Sequence, residues 1–183
     1  MSEPSPDPSP VIAGIEVRPL RPIADPRGSF VETYRRTGMP PGAREVVQSN
    51  ISRSKAGVLR GIHYHRAQSD YWVFLEGRAF VALLDLRPGS PTRGGRQEVE
   101  LDGAEPSGLY IPRMVAHSFY ARTDMVLQYM VDAYYDGGRD EHGIAWNDPD
   151  AQINWPDPDP ILSDRDRSNP PLALALADDP QSG

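Results

Sequence analysis

Apolar and polar positions alternate along most of this chain, in runs too short for helices. The stretches VIAGIEVRPL (11–20), GSFVETY (28–34), EVVQSNISRS (45–54), RQEVELD (96–102), SGLYIP (107–112), HSFYAR (117–122) and DMVLQYMVDAYY (124–135) are rich in β-branched and aromatic residues. Turn signals separate them, which is the pattern of strands. The longest run, YWVFLEGRAFVALLDLR (71–87), is interrupted by LEGR (75–78), which reads as a tight hairpin. A broad loop is expected over RPGSPTRGG (87–95) and a turn over DGAEPSG (102–108). Helical periodicity is confined to brief stretches near LSDRDRSN (162–169) and PPLALAL (170–176). The expected fold class is all-β: a jelly-roll barrel or sandwich with a few short C-terminal helices. Barrels of this kind commonly enclose a ligand cavity lined by every second strand residue.

Length and composition turn this into one domain. A chain of 183 residues is enough for a single core and short for two. Residues 1–10, mostly Pro, Ser and acidic, cannot bury enough apolar surface to order themselves and read as a disordered tail. The domain is expected over residues 11–171, with a weakly ordered tail over 172–183. There are no cysteines, so any metal would rest on imidazole and carboxylate. The net charge of −7 argues against nucleic acid as a partner. It leaves room for an anionic small ligand, because a few arginines in one pocket outweigh distant surface charge. No apolar run reaches membrane-span length, and the N-terminus lacks the basic and apolar regions of a secretion signal. A cytoplasmic protein is the expectation.

The chemistry concentrates in GIHYHRAQSDYWVFLEG (61–77). In a strand, His63 and His65 point to the same face. A turn near Arg66–Ser69 would place Asp70, Trp72 and Phe74 on one face of the next strand, and His117 follows a turn led by Pro112. His63, His65, Asp70 and His117 are thereby candidate ligands of a divalent metal, with iron, manganese, nickel and zinc all suited to such donors. The spacing resembles the two metal motifs of the cupin superfamily, with Asp where Glu is usual and Met114 where the second motif often has glycine. The alternative for Asp70 is a turn residue beside Gln68 and Ser69.

A longer resemblance covers about Ile15 to Pro171. DPRGSFVETY, VVQSNISRSKAGVLRGIHYH, GRAFVALLDLRPGSPT, LYIPRMVAHSF, VLQYMVDAYY, EHGIAWNDPDAQINWP and LSDRD occur in the order found in the dTDP-4-dehydrorhamnose 3,5-epimerase family. The resemblance implies a cupin jelly roll, a nucleotide-linked 4-keto-6-deoxyhexose as substrate, no metal, and a homodimer that exchanges N-terminal strands. It places that strand exchange around Gly14–Leu20, and implies that His63 removes the proton beside the ketone, that Asp166 orients His63, and that Tyr129 returns a proton. Arg27, Glu32, Gln48, Asn50, Arg60 and Glu141 match positions lining the nucleotide-sugar pocket, and Arg27 and Arg60 have the fork-shaped donors that suit a diphosphate. Read without the resemblance, Tyr129 is strand filler, Asp166 caps a short helix, and Arg27 and Arg60 are surface ion-pairing residues.

Two positions depart from the family. His65 stands where glutamine is usual, and Asp70 stands where the lysine that steadies the enolate is expected. A carboxylate beside an enolate repels it in a site of low dielectric. The same two residues complete the three-histidine, one-carboxylate set. The leading expectation is therefore a metal-assisted epimerase or isomerase of a nucleotide-linked keto-deoxysugar, with no metal if it behaves as a typical family member. Two alternatives are a metal-dependent, oxygen-using tailoring cupin and a sugar-binding cupin without activity.

Overall fold

The computed structural model describes residues 12–177. The tail expected over residues 1–10, and residues 178–183 of the other, lie outside the described residues. In chain order the strands are β1 (Glu16–Pro19), β2 (Ile23–Asp25), β3 (Gly28–Phe30), β4 (Gln48–Ser54), β5 (Leu59–Tyr64), β6 (Asp70–Glu76), β7 (Arg78–Asp85), β8 (Arg96–Asp102), β9 (Ser107–Ile111), β10 (Val115–Ala121), β11 (Met125–Val131) and β12 (His142–Gly143). Two short helices follow, α1 (Asp164–Arg167) and α2 (Leu172–Ala177). One sheet has the order β1-β9-β6-β11-β4 and the other β12-β5-β10-β7-β8, with β2 and β3 forming a separate hairpin. The strands within each sheet pair antiparallel, as in the jelly roll expected.

Alternation sorts each strand's residues between layers. On β6, Trp72 and Phe74 join Val81, Leu83, Leu109, Phe119 and Leu127 in the main core cluster, which draws on both sheets. The intervening Tyr71 and Val73 face the other way and pack with Tyr34, Met39 and Val46. On β5, Ile62 and Tyr64 pack with Ala116, Ile144 and Leu172 in another cluster. That leaves His63 on the opposite side of the strand, as the period of two requires.

Two expectations change. The LEGR segment is not a hairpin: β6 pairs with β9 and β11, whereas β7 pairs with β8 and β10. It is a corner that hands the chain from one sheet to the other. Gly77 makes the corner possible, with φ +75° and only 2.2 Å between an added Cβ and the Asp124 carbonyl oxygen. At the C-terminus, residues 172–177 form α2 and bury Leu172 and Ala175, so ordered packing continues past residue 171.

The broad loop over 87–95 is built around Asp85, whose side chain is fully buried. Its carboxylate accepts from Arg87 Nη2 at 2.7 Å, Ser90 Oγ at 2.6 Å and Thr92 Oγ1 at 2.7 Å. Arg87 also donates to the Ala13 carbonyl at 2.6 Å, tying down the segment that carries core residues Ile12 and Ile15. Burial disfavours the charge on Asp85, but the Arg87, Ser90 and Thr92 donors outweigh it and hold the carboxyl at about 2. A depressed carboxyl stabilises the fold above the unfolded carboxyl's range, and that stability is lost as pH falls through the folded value. Here the window runs from about pH 4 down to about 2, and the contribution at neutral pH is about 2 kcal/mol. Asp85→Ala, which strands Arg87 without its partner, is expected to cost about 3–5 kcal/mol in urea unfolding at pH 7. A loss below about 1 kcal/mol would show that the network is not a structural anchor.

Candidate active site

The polar end of the interior opens into a cavity of about 330 Å³, within the range of small-molecule sites. One wall comes from β4, β6 and β11, the other from β5 and β10. Gln48, Asn50 and Ser52 line it at alternate positions of β4, as do His63 on β5 and His65 just past its end. Gly61 lets β5 approach β10: its φ is +130°, and an added Cβ would lie 2.4 Å from Ser118 Cβ. That approach places His63 directly opposite His117 in the strand register.

His63 Nε2 meets Asp166 Oδ1 at 2.6 Å, so one ring nitrogen is held and the other remains for proton transfer. Asp166 is both site residue and helix residue. Ser163, the N-cap of α1, accepts from the Asp166 amide at 3.1 Å, which fixes the short helix against β5. Burial opposes the Asp166 charge, but hydrogen bonds from His63, Ser163 and the Gly61 amide hold its carboxyl below the ordinary range. The carboxylate is thus charged where it can stabilise an imidazolium.

Tyr129 lies on the facing sheet, paired with Asn50 and Trp72. Burial, and then the negative charges of Asp70 and Glu141, push its phenol up, with Arg60 opposing. The hydroxyl keeps its proton and is suited to donate one. Arg60 Nε binds Ser54 Oγ at 3.0 Å, and Glu141 pairs with Arg165 Nη1 at 2.6 Å.

His65, Asp70 and His117 form a second group, with one ligand atom from each lying within 4.8 Å of the others. His63 is not in it. Of the four residues expected as ligands from sequence, three gather in this cluster, and His63 instead meets Asp166. His117 and Asp70 are buried. Burial is the main cause that lowers the His117 imidazole to about 4, opposed by the Asp70 charge, so this ring is neutral at pH 7. Met114, standing where the second cupin motif often has glycine, takes the left-handed conformation with φ 59°. Its amide donates to the His65 carbonyl at 2.8 Å, which ties the end of β5 to the turn preceding His117.

Gln48, Asn50, Arg60, His63, His65, Asp70, His117, Tyr129 and Glu141 therefore share one cavity, and Asp166 stands behind His63. Arg27 and Glu32 do not line it among the described residues. They form surface pairs with Asp25 and Arg35, and the Arg27 side chain is 89% exposed. Residues not singled out from sequence also line the cavity, including Ser52, Phe119, Tyr134, Asp140 and Arg165. Arg165 adjoins Asp166 within LSDRD, so that motif held the signal, and Asp140 immediately precedes EHGIAWNDPDAQINWP. Nothing local marked Ser52 or Phe119.

The chain's single lysine, Lys55, pairs with Asp124 at 2.8 Å on the surface, with its side chain 82% exposed. No lysine therefore replaces the one expected at position 70. Among the described residues no helix is long and apolar enough to cross a membrane.

A protein-family model described as dTDP-4-dehydrorhamnose 3,5-epimerase matches residues 10–173. The chain is 39% identical to a dTDP-4-dehydrorhamnose 3,5-epimerase of Streptomyces griseus over 88% of its own length and 84% of the relative's. It is 35% identical to a dTDP-4-dehydrorhamnose 3-epimerase of Streptomyces niveus, over 87% and 78%. Among solved structures it resembles a double mutant of a 3′-monoepimerase from Streptomyces bikiniensis in complex with dTDP. That match has a TM-score of 0.84 at 31% identity and covers 92% of this chain and 89% of the other.

Proposed function

This chain belongs to the dTDP-4-dehydrorhamnose 3,5-epimerase family, and from that premise we propose that it inverts a carbon flanking the ketone of a dTDP-linked 4-dehydro-6-deoxyhexose. The observation that carries the reading is the placement of His63 and Tyr129 on facing sheets. His63 takes the proton from one face of the sugar, and the C–H electron pair moves into the enolate. Tyr129 returns a proton to carbon from the other face, so the centre is inverted. Asp166 orients His63 and stabilises the imidazolium between the two transfers. Gln48, Asn50, Arg60 and Glu141 hold the nucleotide sugar. A charged nucleotide sugar does not cross a lipid bilayer unaided, which supports a cytoplasmic reaction.

The test is incubation with dTDP-4-dehydro-6-deoxyglucose in D₂O, followed by NMR. Deuterium at a carbon beside the ketone, with inversion there, is expected. Unchanged substrate with no deuterium at either carbon would end the reading. Tyr129→Phe should still admit deuterium while forming inverted product about 10²-fold more slowly. A Tyr129→Phe enzyme that inverts at the wild-type rate would remove Tyr129 from the donor role.

The functional unit we propose is a homodimer in which the β2–β3 hairpin of each protomer reaches the partner's pocket, bringing Arg27 and Glu32 to the substrate. The hairpin supports this because Ile23 and Phe30 stand 69% and 67% exposed on it. A two-stranded hairpin is marginal without further packing. Phe30→Asp should shift sedimentation from dimer to monomer and raise KM. A wild-type monomer with full activity would overturn the arrangement.

A further inference from the structure

The cluster of His65, Asp70 and His117 is a convergence of acceptors. His117 Nδ1 faces the Val115 carbonyl at 3.1 Å, and His65 Nδ1 faces the Asp140 carbonyl at 2.8 Å. A carbonyl can only accept, so each ring carries its proton on Nδ1 and presents the Nε2 lone pair. Both rings belong to one group with the Asp70 carboxylate, the ring centroids lying 5.4 Å apart. Asp70 accepts from Trp72 Nε1 at 3.0 Å and Gln68 Nε2 at 2.9 Å. Both donors are neutral and bring no positive charge to the buried carboxylate, and among the described residues it forms no ion pair with Lys or Arg. Two imidazoles with Nδ1 engaged elsewhere and a buried carboxylate, each offering an atom within 4.8 Å of the others and with no Lys or Arg paired to them among the described residues, call for a cation. Orienting bonds behind each group, to Val115, Asp140, Trp72 and Gln68, are what metal ligands characteristically receive.

We propose that His65, Asp70 and His117 bind a first-row divalent cation, with His63 excluded from the ligand set and kept for proton transfer. Two imidazoles and one carboxylate leave coordination positions open, and the group lines the same cavity as His63 and Tyr129. The role assigned to the cation rests on the epimerase reading: a bound divalent ion supplies positive charge for an enolate oxygen, where the expected lysine is absent. The binding itself does not depend on that reading. Asp70 and the two histidines hold the ion, Trp72 and Gln68 position the carboxylate, and Asp166 keeps His63 turned to the base role.

The experiment is calorimetric titration of Zn²⁺ into chelator-treated full-length protein without substrate, with metal content measured in parallel. One Zn²⁺ per chain is expected. Affinity should fall at least about tenfold in Asp70→Asn and in His117→Gln, since even outer positions around a metal cost that much. Trp72→Phe should fall by about tenfold through the loosened carboxylate. His63→Asn should bind as wild type does. Equal affinity in wild type and Asp70→Asn, or no saturable binding at all, would overturn the site and leave the His63–Tyr129 reading standing. A matching loss in His63→Asn would overturn the three-ligand assignment. Zn²⁺ binding as expected, with no deuterium exchange into substrate, would sustain the site and remove the epimerase reading.

Discussion

Replacing His63 by asparagine is expected to lower epimerisation of dTDP-4-dehydro-6-deoxyglucose by about 10²–10⁴-fold, the range a positioned general base contributes. The reason is that His63 alone among the described residues combines a cavity position with a buried carboxylate held behind its ring. Glu141 is paired with Arg165, and His65 and His117 gather with the carboxylate of Asp70. The side-chain amide introduced by His63→Asn can still donate to Asp166, so the buried carboxylate retains a partner and the fold should survive. The comparison is single-turnover NMR in D₂O, with thermal unfolding as a control. A loss below tenfold in a variant that unfolds like wild type would show that another group removes the proton. Asp166→Asn should also slow the reaction, because a neutral amide cannot stabilise the imidazolium formed when His63 takes the proton.

Asp70→Lys is the second large change. It exchanges the anion of the three-residue cluster for the ammonium that family resemblance places there. At about 4 Å and an effective dielectric of about 20, a unit charge pair is worth about 4 kcal/mol. Losing that attraction and adding repulsion should weaken Zn²⁺ binding by at least about 10³-fold. Epimerase activity of the wild type should fall on chelation, whereas that of Asp70→Lys should be indifferent to chelator. Calorimetry and NMR rates with and without chelator read the two effects separately. Wild-type activity that ignores chelator would mean that the cation has no part in turnover, and calorimetry would decide independently whether it binds.

The aspartate at position 70 changes how the family resemblance is to be used. Most pocket residues agree with it, including His63, Asp166 and Tyr129. With Lys55 committed to Asp124 on the surface, no second lysine exists to steady an enolate. The site therefore sets a His63–Asp166 pair, at positions that match the family motif, beside a separate cluster of His65, Asp70 and His117. His63 on β5 and His65 just past its end lie two residues apart, and the register of β10 sets His117 opposite His63.

The alternation of residues along the chain was sufficient to determine the strands. Residues 45–54, 96–102 and 124–135 hold β4, β8 and β11, and 117–122 cover most of β10, because a period of two is imposed locally by the pleat. It was sufficient, too, to set His63 and His65 on one face, and Asp70, Trp72 and Phe74 on another. It could not say that LEGR is a corner, because pairing of β6 with β11 and of β7 with β10 depends on hydrogen bonds between distant segments. Nor could it decide which histidine does what. His63 is drawn to Asp166 across 103 positions of sequence, while the Asp140 and Val115 carbonyls orient His65 and His117 with their lone pairs exposed. Arg27 and Glu32, matched to the pocket by motif, lie away from it in the single chain. Residue types and their alternation are local properties and were legible in the sequence. That His63 meets Asp166 while His65 and His117 gather with Asp70 was decided only by the tertiary structure, because it depends on which distant acceptor each imidazole meets.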